Sequence, residues 1–191
     1  MSSLMRTSKE EGSTLVIVAL ALASLLIVFA FLLDVGSGFL IQHRLQVMAD
    51  NGADAGMSEL ANFIAQKASE RWTIIHENDK HPPPRPNREN PLSILTQEDR
   101  DALLSEGFGR VDAAVRRYVS LNQASNTQNI GLLVVEYPLT GSVSCSGGSS
   151  MVRLRVSIEL NHAYVFDRLL TPSSKLIRVQ SYQTMNLCPG S

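Results

Sequence analysis

Side chains that could do chemistry are few in this sequence, and most of them stand apart. Asp50 and Asp54 are four positions apart, which places both carboxylates on one face of a helix, where such a pair can bind a metal ion or transfer protons. No histidine or cysteine joins them at ligand spacing, so a solvated helix face is the simpler interpretation. The four histidines form no HxxxH or HExxH motif; they are His43, His76, His81 and His162.

Other catalytic or cofactor-binding patterns are also missing from the sequence. Gly107-Phe108-Gly109 has neither the third glycine nor the preceding strand of a dinucleotide-binding loop, and there is no GxSxG, phosphate-binding loop or CxxC motif. The charges nearly balance, with 17 basic and 18 acidic residues, which argues against a nucleic-acid binder. We therefore expect no enzyme activity, no cofactor, no metal site, no nucleic acid and no small-molecule substrate.

The two cysteines, Cys145 and Cys188, lie far downstream in the chain. They suit either one disulfide in an oxidising compartment or a pair of free thiols. A disulfide would close a long loop and stabilise the fold by roughly 4 kcal/mol in the chain-entropy model.

The element that must carry these residues is an apolar run from Leu15 to Leu33, in which only Ser24 is polar. As a helix the run measures roughly 28 Å, close to the ~30 Å hydrocarbon core of a bilayer. A helix buried in a soluble core is the alternative, but such helices normally carry a polar stripe, which this run lacks. The pattern predicts a transmembrane helix at 15–34 after a short cytoplasmic tail at 1–14.

Beyond the run, the sequence predicts that the helix continues into water as an amphipathic stalk at 35–78. No proline occurs before Lys80, although Gly36 and Gly38 predict a kink or local loosening. Apolar residues recur at helical spacing and must be covered either by the C-terminal part of the chain or by neighbouring copies. This stripe consists of Ile41, Leu45, Met48, Ala49, Ala53, Met57, Leu60, Ile64, Ala68, Trp72 and Ile75. Within the stalk, Ala49, Gly52, Ala53 and Gly56 offer a small-residue surface for close helix packing, and Gly36 and Gly38 are further candidates for such packing.

The N-terminal segment resembles the start of TadE/TadG-like proteins of the tight-adherence (Flp) pilus assembly system. The resemblance covers about residues 10 to 57 and follows one order: Gly12, the apolar run, Asp34-Val35-Gly36 with Phe39, then Arg44 to Gly56. Leu45, Gln46, Ala49 and Asp50 keep the family order, whereas Met48, Asn51, Gly52 and Asp54 replace small or apolar residues. The resemblance implies a membrane-anchored pilus component whose partners are other pilus subunits and lipid.

The resemblance also implies Gly12 as the residue after which a leader would be cut. Pilin-type processing usually wants Glu at the fifth mature position, which here is Ile17. This departure favours an uncleaved TadG-like anchor over a processed TadE-like minor pilin, and both remain open. We expect the protein in a bacterial inner membrane, crossing it once, with its C-terminal part outside the cytoplasm and either retained in the membrane or entering a pilus.

The rest of the chain predicts a proline-rich linker at 79–95 and an extracytoplasmic α+β domain at 96–191. Thr96 to Asp99 predicts a helix start, followed by one or two short helices interrupted near Gly107-Phe108-Gly109. Strands are predicted at 130–137, 151–160 and 175–185, and short connections favour an antiparallel sheet with one buried face.

The predicted fold class is α+β, with the long N-terminal helix packed on a C-terminal antiparallel sheet of about three or four strands, as in pilins. The predicted function is a minor pilin or pilus-assembly factor that acts by helix–helix packing. The alternative is a single-pass, membrane-tethered binding or sensory domain outside the cytoplasm, which a deep apolar pocket would favour.

Overall fold

The structure is a computed structural model that describes residues 4–81, 91–123, 130–139, 143–145, 150–164 and 174–188, with side chains described from Thr14 onward. It contains two long helices, α1 (Leu4–Ile75) and α2 (Gln97–Gln123), with a single 3-10 turn at Pro91–Ser93 before α2. Three strands follow: β1 (Leu132–Glu136), β2 (Met151–His162) and β3 (Lys175–Asn186). The predicted α+β class and the antiparallel sheet are confirmed.

The chain divides into two compact units. The first consists of Met1–Ile41 and His162–Lys175, and the second of Gln42–Asn161 and Leu176–Ser191. The second unit therefore contains the later part of α1 together with α2 and nearly all of the sheet. Most of the proline-rich linker predicted at 79–95 lies outside the described residues.

The sheet has the strand order β1-β2-β3. β1 and β2 are antiparallel, in a register that runs from Leu132 opposite Glu159 to Glu136 opposite Arg155. At the other side of β2, the Leu187 amide donates to the Ser150 carbonyl at 2.8 Å. The strand predictions are therefore correct to within two residues at each end.

One face of the sheet forms the core of the second unit. The inward side chains of β2 are at most 4% exposed: Val152, Leu154, Val156, Ile158 and Leu160. Strict alternation along β2 places these residues on one face, and the stripe of α1 and the buried face of α2 supply the other side of the core. The stripe is buried as far as Ala68, whereas Ile75 is 57% exposed.

α2 begins at a capping box. The Asp99 amide donates to the Thr96 hydroxyl at 3.3 Å, and the Thr96 amide donates to Asp99 Oδ2 at 2.8 Å. These bonds satisfy donors that the first turn of a helix would otherwise leave without partners. The predicted helix start is confirmed.

The predicted interruption of α2 near Gly107 is wrong, because α2 is one continuous helix. Gly107 is buried, and a β-carbon there would lie 3.3 Å from the Tyr137 hydroxyl oxygen. That hydroxyl donates to the Leu103 carbonyl at 3.2 Å. The glycine lets the Tyr137 ring reach the α2 backbone, and burial raises the pKa of Tyr137.

Candidate membrane span and helix-packing surface

The apolar run lies in the first unit as part of α1, and its side chains are exposed. Every large apolar side chain from Leu15 to Leu33 is more than half exposed, with Leu15 at 72% and Leu20 at 67%. The most apolar 18-residue window has a mean hydropathy of 3.1, and none of it is buried by the protein. Within the described part of the chain this is the one helix long and apolar enough to cross a membrane, so it is a possible single span.

The predicted loosening after the run does not occur, since α1 stays helical through Gly36 and Gly38. Gly36 faces open space, whereas a β-carbon at Gly38 would lie 2.7 Å from the Tyr164 hydroxyl oxygen. Asp34 is 6% exposed, and the hydroxyl of Ser37 donates to its carbonyl at 2.9 Å. Gly12 also lies within α1.

The small-residue surface of the stalk packs inside its own unit. Ala49 and Ala53 are fully buried. A β-carbon at Gly56 would lie 2.8 Å from Leu154 Cδ2, and one at Gly52 would lie 3.4 Å from Val119 Cγ2. These residues do permit close packing, and what approaches them is α2 and β2 of the same chain. The sequence left open whether the C-terminal part of the chain or neighbouring copies pack on this stripe. In the structure, the C-terminal part of the same chain packs on it.

Gln46, one of the residues that carry the resemblance, lies where α1 meets β3. Leu45 is 5% exposed. The amide of Gln46 donates to Asp50 Oδ1 at 2.9 Å and to the Gln180 carbonyl at 3.2 Å. Gln46 therefore joins α1 to the backbone of a strand more than a hundred residues downstream, which the spacing of the pattern alone could not reveal.

The candidate carboxylate pair has structural partners. Asp50 accepts from Gln46, and Asp54 accepts a hydrogen bond from Gln183 Nε2 at 2.6 Å. The histidines do not gather around the pair: His76 stacks on Trp72, and His162 lies against Tyr164. Among the residues that the structure describes, no three His, Cys, Asp or Glu side chains come together as metal ligands.

Sequence reasoning missed a set of contacts that joins α1 to α2. The guanidinium of Arg110 lies 4.2 Å from the centroid of the Phe63 ring, and its Nη1 donates to Gln66 Oε1 at 3.0 Å. Lys67 forms a salt bridge with Glu106 at 3.0 Å. Charges spaced along two separate segments gave no sign of this pairing, since it requires the two helices to be aligned.

Beside these contacts, a groove of about 580 Å³ runs between α1 and α2. Its lining combines small, charged and aromatic residues: Ala55, Glu59, Arg110, Ala113, Ala114, Arg117, Tyr118 and Leu121.

The end of β3 is held by a disulfide and a buried arginine. Cys145 and Cys188 are bonded, with their α-carbons 5.5 Å apart, so the disulfide alternative is the correct one. Arg100, only 7% exposed, donates to the Leu187 carbonyl and the Leu92 carbonyl at 3.1 Å each. The segment before α2 and the segment after β3 are thereby hydrogen-bonded to α2.

Electrostatics at the capping box favour the charged form of Asp99. Burial alone would raise the pKa of this carboxyl. Hydrogen bonds from Thr96 and the positive charges of Arg71 and Lys67 outweigh that effect, so the pKa lies below its ordinary value of 3.8. On the outer face of the sheet, a hydrogen bond from Arg155 likewise lowers the pKa of Glu136.

Comparisons of the chain with protein-family models, with curated proteins and with solved structures gave no match.

Proposed function

We propose that this protein is a single-pass, membrane-anchored component of tight-adherence pilus assembly, a TadE/TadG-like minor pilin or assembly factor rather than an enzyme. The observation that carries the proposal is the exposed apolar run from Leu15 to Leu33, because a helix with so much exposed apolar surface needs lipid or other helices around it. The family pattern that follows on the same helix directs the proposal to pili.

The proposed location is a bacterial inner membrane, with the second unit outside the cytoplasm. The bond between Cys145 and Cys188 supports this side of the membrane, because disulfides persist in oxidising compartments. The short polar segment before Thr14 would then remain inside.

The proposed contact with other pilus subunits lies in the span. The small residues Gly52 and Gly56 are covered by α2 and β2, so they have no free surface for a second subunit. The large apolar side chains from Leu15 to Leu33, in contrast, are exposed. Helices pack in lipid through van der Waals contact along such a surface.

Filament counts on cells that lack the protein, with and without complementation, test this proposal. We expect the deletion to lose surface filaments and the wild-type chain to restore them. Leu25→Arg, at the middle of the span, should fail, since a charge there costs about 2.5–3.5 kcal/mol of insertion. Leu121→Arg changes an equally exposed leucine of α2, which is 66% exposed against 64% for Leu25, and should restore filaments. Normal filaments in the deletion strain would refute the pilus role.

Mass spectrometry of the mature N-terminus separates the two forms of the proposal. A chain that starts at Ser13 has been processed after Gly12 and is a minor pilin. A chain with its original N-terminus is a permanent anchor.

The α1–α2 groove favours a second candidate, a membrane-tethered domain that binds a ligand outside the cytoplasm. Its lining places the polar groups of Arg117 and Tyr118 beside the apolar side chain of Ala114, and binding sites combine polar and apolar groups in this way. Under this function, Ala114→Trp, which fills the groove, would abolish signalling or uptake while filament number stays unchanged.

A further inference from the structure

A second hollow adjoins the α1–α2 groove within the second unit. It has a volume of about 410 Å³, and Tyr118 lines both hollows. Together they follow α1 from His43 to Glu59, which is about 24 Å along a helix axis. We call these two hollows together the extended groove.

The extended groove offers apolar contacts along a length that suits a helix. Val47 is 43% exposed and Leu121 is 66% exposed, and the small side chains of Ala55 and Ala114 leave room between the two helices. About 24 Å corresponds to roughly four turns of helix. An amphipathic helix that lays its apolar face in such a groove would cover these side chains.

Arg44 and Arg117 line the extended groove without a carboxylate beside them. Among the residues that the structure describes, neither side chain has an ion pair or a hydrogen bond, and both are exposed. The other basic side chains that α1 and α2 contribute to the second unit have partners: Lys67, Arg71, Arg100, Arg110 and Arg116. The unmatched positive charge of these two helices therefore lies in the extended groove.

The contacts of Gly52 give the spacing of the two arginines along the groove. A β-carbon at Gly52 would lie 3.4 Å from Val119 Cγ2 and 3.6 Å from Val115 Cγ1. Arg117 is midway between these valines in α2, so it is level with Gly52. Arg44 is eight residues before Gly52, which is about 12 Å along α1. Two carboxylates seven positions apart on a docked helix are about 10.5 Å apart on one face, within reach of both guanidinium groups.

We propose that the extended groove binds an amphipathic helix of a partner protein that carries two carboxylates about two turns apart. The apolar face of that helix would cover Val47 and Leu121, and its carboxylates would pair with Arg44 and Arg117. This inference names the partner class for the second candidate function and rests on the groove being a binding site.

Fluorescence anisotropy with a designed peptide tests the inference on the full-length chain in detergent micelles. The probe is a fluorescein-labelled 18-residue helix of alanine, leucine and lysine, whose leucines share one face with two glutamates seven positions apart. In a second peptide both glutamates are glutamine, and in a third both are lysine. Protein-free micelles give the background. We expect the glutamate peptide to bind about tenfold more tightly than the glutamine peptide, since each exposed ion pair contributes about threefold to fivefold.

Charge reversal at the two arginines locates the bound peptide. Arg44→Glu and Arg117→Glu should each weaken binding of the glutamate peptide at least threefold, and the double variant should prefer the lysine peptide. Arg153→Glu is the matched control, because Arg153 is an exposed arginine on β2 that lies outside the extended groove. It should leave the affinities of all three peptides unchanged.

Several results would overturn the inference. These are no binding of the glutamate peptide, equal binding of the glutamate and glutamine peptides, or an equal loss in Arg153→Glu. Sedimentation of the chain in micelles without peptide tests a second copy as the occupant, and a dimer that Arg117→Glu dissociates would also overturn the inference. If Ala114→Trp abolishes signalling or uptake while the peptides show no preference for carboxylates, the second candidate function stands and only the partner class is refuted.

Discussion

Replacing Gly56 by alanine should destabilise the second unit, because the new methyl group has no space. It would lie 2.8 Å from Leu154 Cδ2, 2.9 Å from Val115 Cγ2 and 3.2 Å from Val111 Cγ1. All three neighbours are fully buried between the helices and the sheet, so none can move into solvent. Overpacking of this kind typically costs 1–3 kcal/mol.

Gly109→Ala is the matched control. Gly109 lies in α2 of the same unit, and a β-carbon there would meet nothing within 4 Å. Both substitutions gain about 1 kcal/mol of helix propensity, so that term cancels when the two variants are compared. The remaining difference in the free energy of unfolding should be about 1–3 kcal/mol, with Gly56→Ala the less stable.

Gly52→Ala gives an intermediate test of the same reasoning. Its new methyl group would lie 3.4 Å from Val119 Cγ2 and 3.6 Å from Val115 Cγ1, close to ordinary contact distances. Since little has to move, we expect this variant to behave like Gly109→Ala.

Urea unfolding of the full-length chain in detergent micelles, followed by Trp72 fluorescence, measures the series. With an m-value of about 1–3 kcal/mol per molar urea, the midpoints of Gly56→Ala and Gly109→Ala should differ by about 1 M. Equal midpoints for these two variants would refute the packing of α1 against α2 and β2 described above.

Three further perturbations address the C-terminal attachments and the start of α2. Replacing both Cys145 and Cys188 by serine should lower the free energy of unfolding, measured in urea, by about 4 kcal/mol in the chain-entropy model. A loss no larger than that of a surface mutation would contradict this stabilisation by the disulfide. Arg100→Met removes two hydrogen bonds from a buried guanidinium and should lower the free energy of unfolding by about 2–3 kcal/mol. Arg116→Met, at an exposed salt bridge, is the control and should lower it by less than about 1 kcal/mol. Equal losses would count against the role of Arg100. Because the folded chain holds the pKa of Asp99 below its ordinary value, its contribution is present above about pH 4 and is lost as the pH falls through the folded pKa. Acid titration of stability should therefore be flatter for Asp99→Asn than for the wild type, and parallel curves would contradict the assignment.

Local patterns were sufficient to predict α1 and the three strands of this fold. The absence of proline before Lys80 and the helical stripe predicted one long helix, and α1 extends from Leu4 to Ile75. Strict alternation from Val152 to Leu160 identified the buried face of β2. Such periodicities depend only on the geometry of a single helix or strand.

Local sequence patterns could not predict which helix and strand surfaces pack against each other. The sequence predicts an interruption near Gly107, but the glycine instead lets the Tyr137 ring pack against a continuous helix. The small residues at Gly52 and Gly56 suit any close neighbour, and sequence alone cannot distinguish another subunit from this chain's own α2. Contacts between distant segments, such as Gln46 with Gln180, depend on the assembled fold.

The pairing of Gly56 with Leu154 has a consequence for biosynthesis. The two residues are roughly a hundred positions apart, and ribosomes add about 5–20 residues per second. The part of α1 that belongs to the second unit is thus synthesised about 5–20 s before the strand that covers it. During that interval its apolar stripe is open to chaperones, to the bilayer surface and to sister chains, so the order of translation leaves a brief period in which misassembly competes with folding.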